Sequence, residues 1–272
     1  MTLQQQMKKK PIWKFYLPSF GIFEREVRRF FAVPGQTIFT PLGRALIYFV
    51  LFGFSLGKFI QNGGETFTHG FSYIVFLIPG IMAMETLNAA FQNPISSIMV
   101  GRWTGTLVDV LMSPVSPVGL WFAYVCGALV RALLVATCVF LAGSLCAWQL
   151  IHVNWFLLIL ALILNVGVFA GFGVIIGSIA KTWEQMGIVT SFILTPLTFF
   201  SGVFFSFSSF PSWVQIVKYF NPIFYIVSMF RYAFLGYSDI NPYVSFGASA
   251  LFLIVTFLLA LFFLKKGFGL RN

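Results

Sequence analysis

Charge is what this chain has least of. Only 9% of its 272 residues are Asp, Glu, Lys or Arg, and 59% are apolar. A soluble domain carries about 25% charged residues, and one of this size could not hide so much apolar surface from water. The composition therefore speaks against a soluble globular fold and for lipid as the solvent. Acids are scarcer still, seven against seventeen basic residues, with no paired-carboxylate cluster. Histidine occurs only at His69 and His152, far apart in sequence, so no metal site is expected. The patterns GxSxG, HExxH and GxxxxGK(S/T) are missing, which leaves an esterase, a zinc protease and a P-loop ATPase without a motif to rest on. The three cysteines, Cys126, Cys138 and Cys146, share one apolar run without CxxC spacing. They read as small packing residues rather than a disulfide framework.

Apolar runs are what is present. A helix rising about 1.5 Å per residue needs roughly 20 apolar residues to cross the hydrocarbon core. Six expected spans follow, at about 39–60, 73–92, 118–148, 155–179, 188–206 and 243–264. The third is long enough to tilt, and the fifth is short and holds Pro196. The basic N-terminus lacks a short apolar stretch and cleavage site, so the first run reads as an uncleaved span.

The net charge of +10 would point to nucleic acid in a soluble protein. Here Lys8, Lys9, Lys10, Lys14, Arg25, Arg28 and Arg29 precede the first span, and Lys265, Lys266 and Arg271 follow the last. That is the pattern of membrane orientation, with both termini in the cytoplasm and no nucleic-acid partner. Arg102 and Lys181 then fall in cytoplasmic loops, and the outer loops hold few basic residues, such as Lys58 and Lys218.

Ser19 to Phe31 has another character. Phe20, Phe23, Val27, Phe30 and Phe31 share one helical face, and Glu24, Arg25, Arg28 and Arg29 the other. Glu24 and Arg28 stand at a favourable i,i+4 spacing. Pro18-Ser19 is the expected cap and Pro34-Gly35 the stop. Such a helix is expected to lie in the cytoplasmic interface. From Phe199 to Tyr237 the chain is aromatic-rich and broken by Gly202, Pro211, Pro222 and Gly236. Short helices dipping into the outer surface are expected there, as an aromatic belt or a gate.

Three features inside the spans could carry function. Glu85 and Arg131 are ionisable at membrane depth, about 10 Å and 15–20 Å from the cytoplasmic side by helical rise. They suit a mutual pair, an Arg131 bonded to backbone carbonyls, or a substrate site. Ser191, Thr195, Thr198 and Gly202 form a narrow polar stripe, either helix–helix glue or a pathway wall. Gly167 and Gly171, Gly173 and Gly177, and Gly53 and Gly57 have the spacing that permits close helix contact.

The run Gly105-Thr106-Leu107-Val108-Asp109-Val110-Leu111-Met112, continued by Ser113-Pro114-Val115-Ser116, resembles a signature of ABC-2 type transporter permeases. Asp109 stands where many relatives carry Glu. Thr195-Pro196-Leu197-Thr198-Phe199-Phe200-Ser201-Gly202-Val203-Phe204 is similar to a second family stretch. Asn221-Pro222 with Tyr225, Arg231 and Gly236 is similar to a third, and Gly267-Phe268-Gly269-Leu270-Arg271 to the close of the YadH-like inner-membrane branch. The resemblance implies an all-α membrane protein of one domain over 1–272, with a cytoplasmic and interfacial segment at 1–35 and a six-helix bundle at 36–272. It implies a homodimer in the bacterial inner membrane, surrounded by lipid. Two copies of a separate ABC ATPase would bind the ATP and magnesium, with no cofactor in this chain. Arg102, Gly105, Thr106, Leu107 and Asp109, with Glu24 and Arg28 of the amphipathic helix, would dock that ATPase through a coupling helix. Ser191, Thr195, Thr198, Phe199, Phe200 and Phe204 would line the substrate path, and the outer helices would be re-entrant.

The reading is a permease subunit of an ATP-driven exporter for an amphipathic, lipid-, drug- or glycan-like substrate. An ion-gradient-driven secondary transporter is the alternative of another class. It lacks a 3+3 inverted repeat and a proton-relay cluster to rest on. A polysaccharide exporter of the same superfamily is a third reading. The charge asymmetry makes a first prediction. In a cysteine-free background, Cys at positions 66 and 208 should react with a membrane-impermeant thiol reagent on intact cells, and Cys at 8 and 271 should not. Labelling of either terminus overturns the orientation.

Overall fold

The computed structural model describes residues 13–56, 71–113, 115–147, 153–207, 215–216 and 218–266. Lys8, Thr66, Ser208 and Arg271 of the topology prediction lie outside the described residues, as do His69, His152, Lys58, Gly57 and Pro211. The described chain is helical, with no strand among the described residues. In chain order the α-helices are α1 (Trp13–Phe31), α2 (Thr40–Tyr48), α3 (Tyr73–Trp103), α4 (Thr106–Met112) and α5 (Pro117–Ala147). They continue with α6 (Trp155–Ile179), α7 (Trp183–Val189), α8 (Thr195–Phe199), α9 (Pro222–Leu235) and α10 (Pro242–Lys266). Wider π-helical turns extend α2 on both sides, at Gly35–Phe39 and Phe49–Leu56, and join α7 to α8 at Thr190–Leu194.

Among the described residues, five helices are long and apolar enough to cross a membrane: Gly35–Gly53, Tyr73–Trp103, Pro117–Leu145, Trp155–Ile179 and Pro242–Lys266. The run expected at 188–206 is instead the broken series α7, π turn and α8, which ends at Phe199. Pro196 explains the break. A proline donates no N–H and crowds the carbonyl four residues back, and the π turn before it widens the helix there.

Polar and apolar residues sort by neighbour rather than by a single water-facing side. α3 has no single apolar face, and its most apolar stretch is 89% buried, which requires other helices around it. It packs against α5, α6, α9 and the first span. The fourth-span glycines explain how closely. A Cβ on Gly173 would land on the Phe91 carbonyl oxygen of α3, and one on Gly177 would lie 3.3 Å from the Ile95 Cα. Gly167 and Gly171 face the other way, onto Leu253 and Thr256 of α10. The outer faces of α5 and α10 stay apolar and exposed, as at Leu145 and Leu251, which suits lipid.

α1 departs from expectation at both its start and its face. It begins at Trp13, so Pro18 lies within it instead of capping it. One proline removes a single backbone bond and need not end a helix. The buried stripe is Ile22, Glu26 and Phe30, while Phe20 and Phe31 are exposed. This stripe packs on α5, where Gly127 makes room for the Glu26 stem. The expected aromatic segment at 199–237 contains α9. Within it, α9 is buried by neighbouring segments along nearly its whole length.

The α6 glycine contacts predict a selective loss of stability. Gly173→Ala places a methyl against backbone that cannot swing aside, a strain of about 1–3 kcal/mol. Gly247→Ala meets nothing within 4 Å and serves as control. Thermal unfolding in detergent should show a lower midpoint for Gly173→Ala alone. Equal midpoints would contradict the packing.

Candidate functional site

Two helical runs with the same local sequence flank one cavity. Thr40-Pro41-Leu42 opens α2 and Thr195-Pro196-Leu197 opens α8, and each follows a five-residue π turn. The backbone N–H groups of Thr40 and Thr195 reach five residues back, to the Gly35 and Thr190 carbonyls. Their hydroxyls donate to the same oxygens, at 3.1 and 2.9 Å. The extra residue in the turn accommodates the proline. The repeated triplet was visible in the sequence but had no meaning until the two runs met in space.

The cavity between them has a volume of about 590 Å³. Gln36, Thr40, Pro41 and Arg44 line it from the first span, and Asn88, Gln92 and Ser96 from α3. α5 contributes Arg131, and α7 with its π turn contributes Trp183, Thr190 and Ser191.

The intramembrane charges are not arranged as a Glu85–Arg131 pair. Glu85 is buried and accepts a hydrogen bond from Arg44 Nη2 at 2.8 Å. Arg131 is half-buried and points into the cavity. Its Nε is buried without a partner, and no carboxylate or backbone carbonyl answers it among the described residues. Helical rise sets depth, but the partner is chosen by rotation about the axis, and α3 turns Glu85 toward the first span.

A second buried carboxylate, Glu26, was missed. It is fully buried, pairs with Arg29 at 2.9 Å and Arg25 at 3.3 Å, and accepts the Ser97 hydroxyl of α3. Arg29 also donates to the Asn93 carbonyl at 2.9 Å and to Ser96 Oγ, on the cavity wall, at 2.8 Å. The available signal was its position between Ile22 and Phe30 on a stripe of period four. The expected Glu24–Arg28 bond forms at 2.6 Å, on the exposed side.

α1 and α4 form a platform at the end of α3. Gly105 sits in the left-handed region (φ 76°) and starts α4. Leu107 is buried, and Thr106 and Asp109 are exposed. Thr106 and Asp109 border a groove of about 320 Å³ with Gly21, Ile22 and Arg25 of α1. Arg102 has a structural contact: it donates to the Ala180 and Gly177 carbonyls at the end of α6.

At the opposite end the aromatic motifs are bonded together. Ser191 and Thr195 are exposed, whereas Thr198 is buried with its hydroxyl on the Leu194 carbonyl at 2.7 Å. The polar stripe is thus divided, with Ser191 on the cavity and Thr198 in packing. Phe204 is buried against Phe52 (4.5 Å between centroids) and Phe199 (5.5 Å), while Phe199 and Phe200 are exposed on their outer sides. Asn221 donates to the Leu197 and Phe200 carbonyls, at 2.6 and 2.9 Å, and caps α9. Fully buried Arg231 pairs with Asp239 and donates to the Gly202 carbonyl at 2.6 Å. Lys218, expected as a plain outer-loop cation, is buried among the Phe207, Tyr219 and Phe224 rings.

A helical bundle with several lipid-length apolar spans, a polar cavity between broken helices and a platform at one end defines a multi-pass membrane transport protein. Residues 20–235 match the family described as ABC-2 type transporter, and the chain belongs to that family. It is 32% identical over 258 residues to the inner membrane transport permease YadH of Escherichia coli K12, covering 95% of this chain and 98% of that one. It is 25% identical to nodulation protein J of Rhizobium meliloti, over 94% of this chain and 98% of that protein. The probable multidrug ABC transporter permease YbhR of E. coli K12 shares 29% identity over 56% of this chain and 41% of its own length. ABC-2 permeases are transport subunits that work with ATPase partners.

The Glu85–Arg44 contact predicts a double-mutant cycle. Arg44→Met strands a buried carboxylate, costing about 3–5 kcal/mol for a fully buried pair and less here, because Arg44 is 40% exposed. Adding Glu85→Leu removes the stranded charge and should recover most of the lost thermal midpoint. Additive losses in the double mutant would contradict the pairing.

Proposed function

We propose that this chain is the membrane-spanning subunit of an ATP-driven exporter in the bacterial inner membrane. In this reading the single domain spans 1–272 and crosses six times, the broken α7–α8 series serving as the fifth span. Both termini and the α1–α4 platform face the cytoplasm, the segment around α9 is re-entrant, and two copies pair about the cavity. Each copy docks one ATPase, which binds the ATP and magnesium. The substrate is amphipathic, a cargo that suits the kinship with the probable multidrug permease YbhR. Membership in the ABC-2 family disfavours an ion-gradient-driven mechanism.

The observation that carries the coupling role is the surface of the platform. Trp103, at the end of α3, is 72% exposed and Met112, one turn beyond the exposed Asp109 on α4, is 81% exposed. Large apolar side chains gathered round a charge are the usual make-up of a protein interface. Closure of the ATPases on ATP would press on α4 and α1. Glu26, Arg29 and Ser97 would pass that displacement to α3 at the level of the cavity wall. The cargo would leave past Phe204 as the aromatic contacts separate.

The test is Asp109→Lys, co-expressed with the ATPase. Reversing a charge at a docking surface costs up to several kcal/mol of association. We expect at least a tenfold lower yield of complex, or ATP hydrolysis that no longer responds to cargo, with the permease still monodisperse. Wild-type complex yield and transport in this variant would refute the coupling role.

A further inference from the structure

Among the described residues that line the cavity, the arginines are not all answered. Arg44 is answered by Glu85, and Arg29 and Arg25 by Glu26. Arg131 has no carboxylate, no carbonyl and no hydroxyl within bonding distance among the described residues. A guanidinium cannot shed its proton to avoid the cost of burial, and an uncompensated charge at membrane depth is expensive. Such a residue persists where something outside the chain supplies the opposite charge.

The surroundings specify what that is. No acid lines the cavity; beside Arg131 it holds Arg44, whose charge is paired with Glu85, and neutral polar residues such as Asn88, Gln92 and Ser191. They can donate to an anion without competing for the arginine. A volume of about 590 Å³ lies within the range of about 300–1,000 Å³ typical of small-molecule sites. A planar guanidinium matches carboxylate and phosphate oxygens two at a time. The rest of the wall is apolar, formed by Pro41, Ala89, Ile95, Trp183 and Met186. The site therefore offers a charged end and greasy flanks together.

We propose that Arg131 anchors the anionic headgroup, a phosphate or carboxylate, of an amphiphile held in this cavity. The inference deepens the exporter reading by naming the chemical class of the cargo.

The test measures binding, so it needs neither transport nor the ATPase. The full-length protein, released from detergent, is offered equimolar dioleoyl phosphatidic acid and dioleoylglycerol, and bound copies are counted by native mass spectrometry. The two lipids share their tails and differ only in the phosphate. The wild type should take phosphatidic acid at least tenfold over dioleoylglycerol. Arg131→Gln should reduce that preference to twofold or less, Arg131→Lys should keep an intermediate preference, and the exposed Lys265→Gln should match the wild type. Inorganic phosphate at millimolar concentration should not displace the lipid. Its full displacement would assign the site to a free anion and overturn the amphiphile. Equal binding of both lipids, or an unchanged preference in Arg131→Gln, would overturn the anchor. Size-exclusion profiles of all variants separate lost binding from lost folding. A failed anchor with the ATPase complex intact refutes this inference alone, and the reverse result refutes only the coupling role.

Discussion

A carboxylate inside a lipid-embedded bundle has to be answered, and the answer to Glu85 shapes everything around it. Water is not there to solvate it, so the choice is a cation, a proton or a very costly bare charge. Arg44 supplies the cation at 2.8 Å. It stands one turn beyond Pro41, on the helix that begins with a π turn. The pair thus fastens a locally broken helix to α3, the most enclosed helix of the bundle. With Glu85 so engaged, no carboxylate lines the cavity to face Arg131.

The same logic operates at the two ends, with a different result. Near the platform, Glu26 is surrounded by Arg29, Arg25 and Ser97, and Arg29 reaches on to Asn93 and Ser96. At the far end, Arg231 holds Asp239 and the Gly202 carbonyl and lies over the Phe76 ring at 4.0 Å. Tyr73 adds a hydrogen bond to the Phe204 carbonyl at 2.9 Å. Networks whose members are nearly all satisfied rigidify what they join. Both therefore bind neighbouring segments to α3, and among the described residues no such network joins α7 to α3 across the cavity between them.

What could be read from the sequence followed from how many residues carried each signal. The spans at 155–179 and 243–264 correspond closely to α6 and α10, because a long apolar run has one dominant solution in lipid. The motifs around Gly105, Pro196 and Asn221 pointed to the family. The partner of Glu85 was not legible. Axial depth follows from counting residues, whereas side-chain direction turns by about 100° with each one. Glu26 was hidden for a related reason. A carboxylate on a basic helix reads as solvated, and it is buried here because Gly127 on α5 lets the two helices meet. That glycine carries no mark in the sequence of α1.

The paired Thr-Pro-Leu turns show why the cavity lies where it does. An unbroken helix satisfies its own backbone and packs flush against its neighbours, leaving little space between them. A π turn spends one extra residue in a single revolution, so side chains on either side lose their common register. Where two such turns face each other, at Gly35–Phe39 and Thr190–Leu194, flush packing fails on both sides at once. The gap is then lined by Gln36, Thr40, Thr190 and Ser191, polar residues drawn from the turns themselves. Those walls hang from ladders already shifted by proline, while α3 opposite them is clamped by α5, α6 and α9. A displacement passed from the platform to α3 would meet least resistance at the two turns, so the cavity would change shape between α3 and its proline-broken walls.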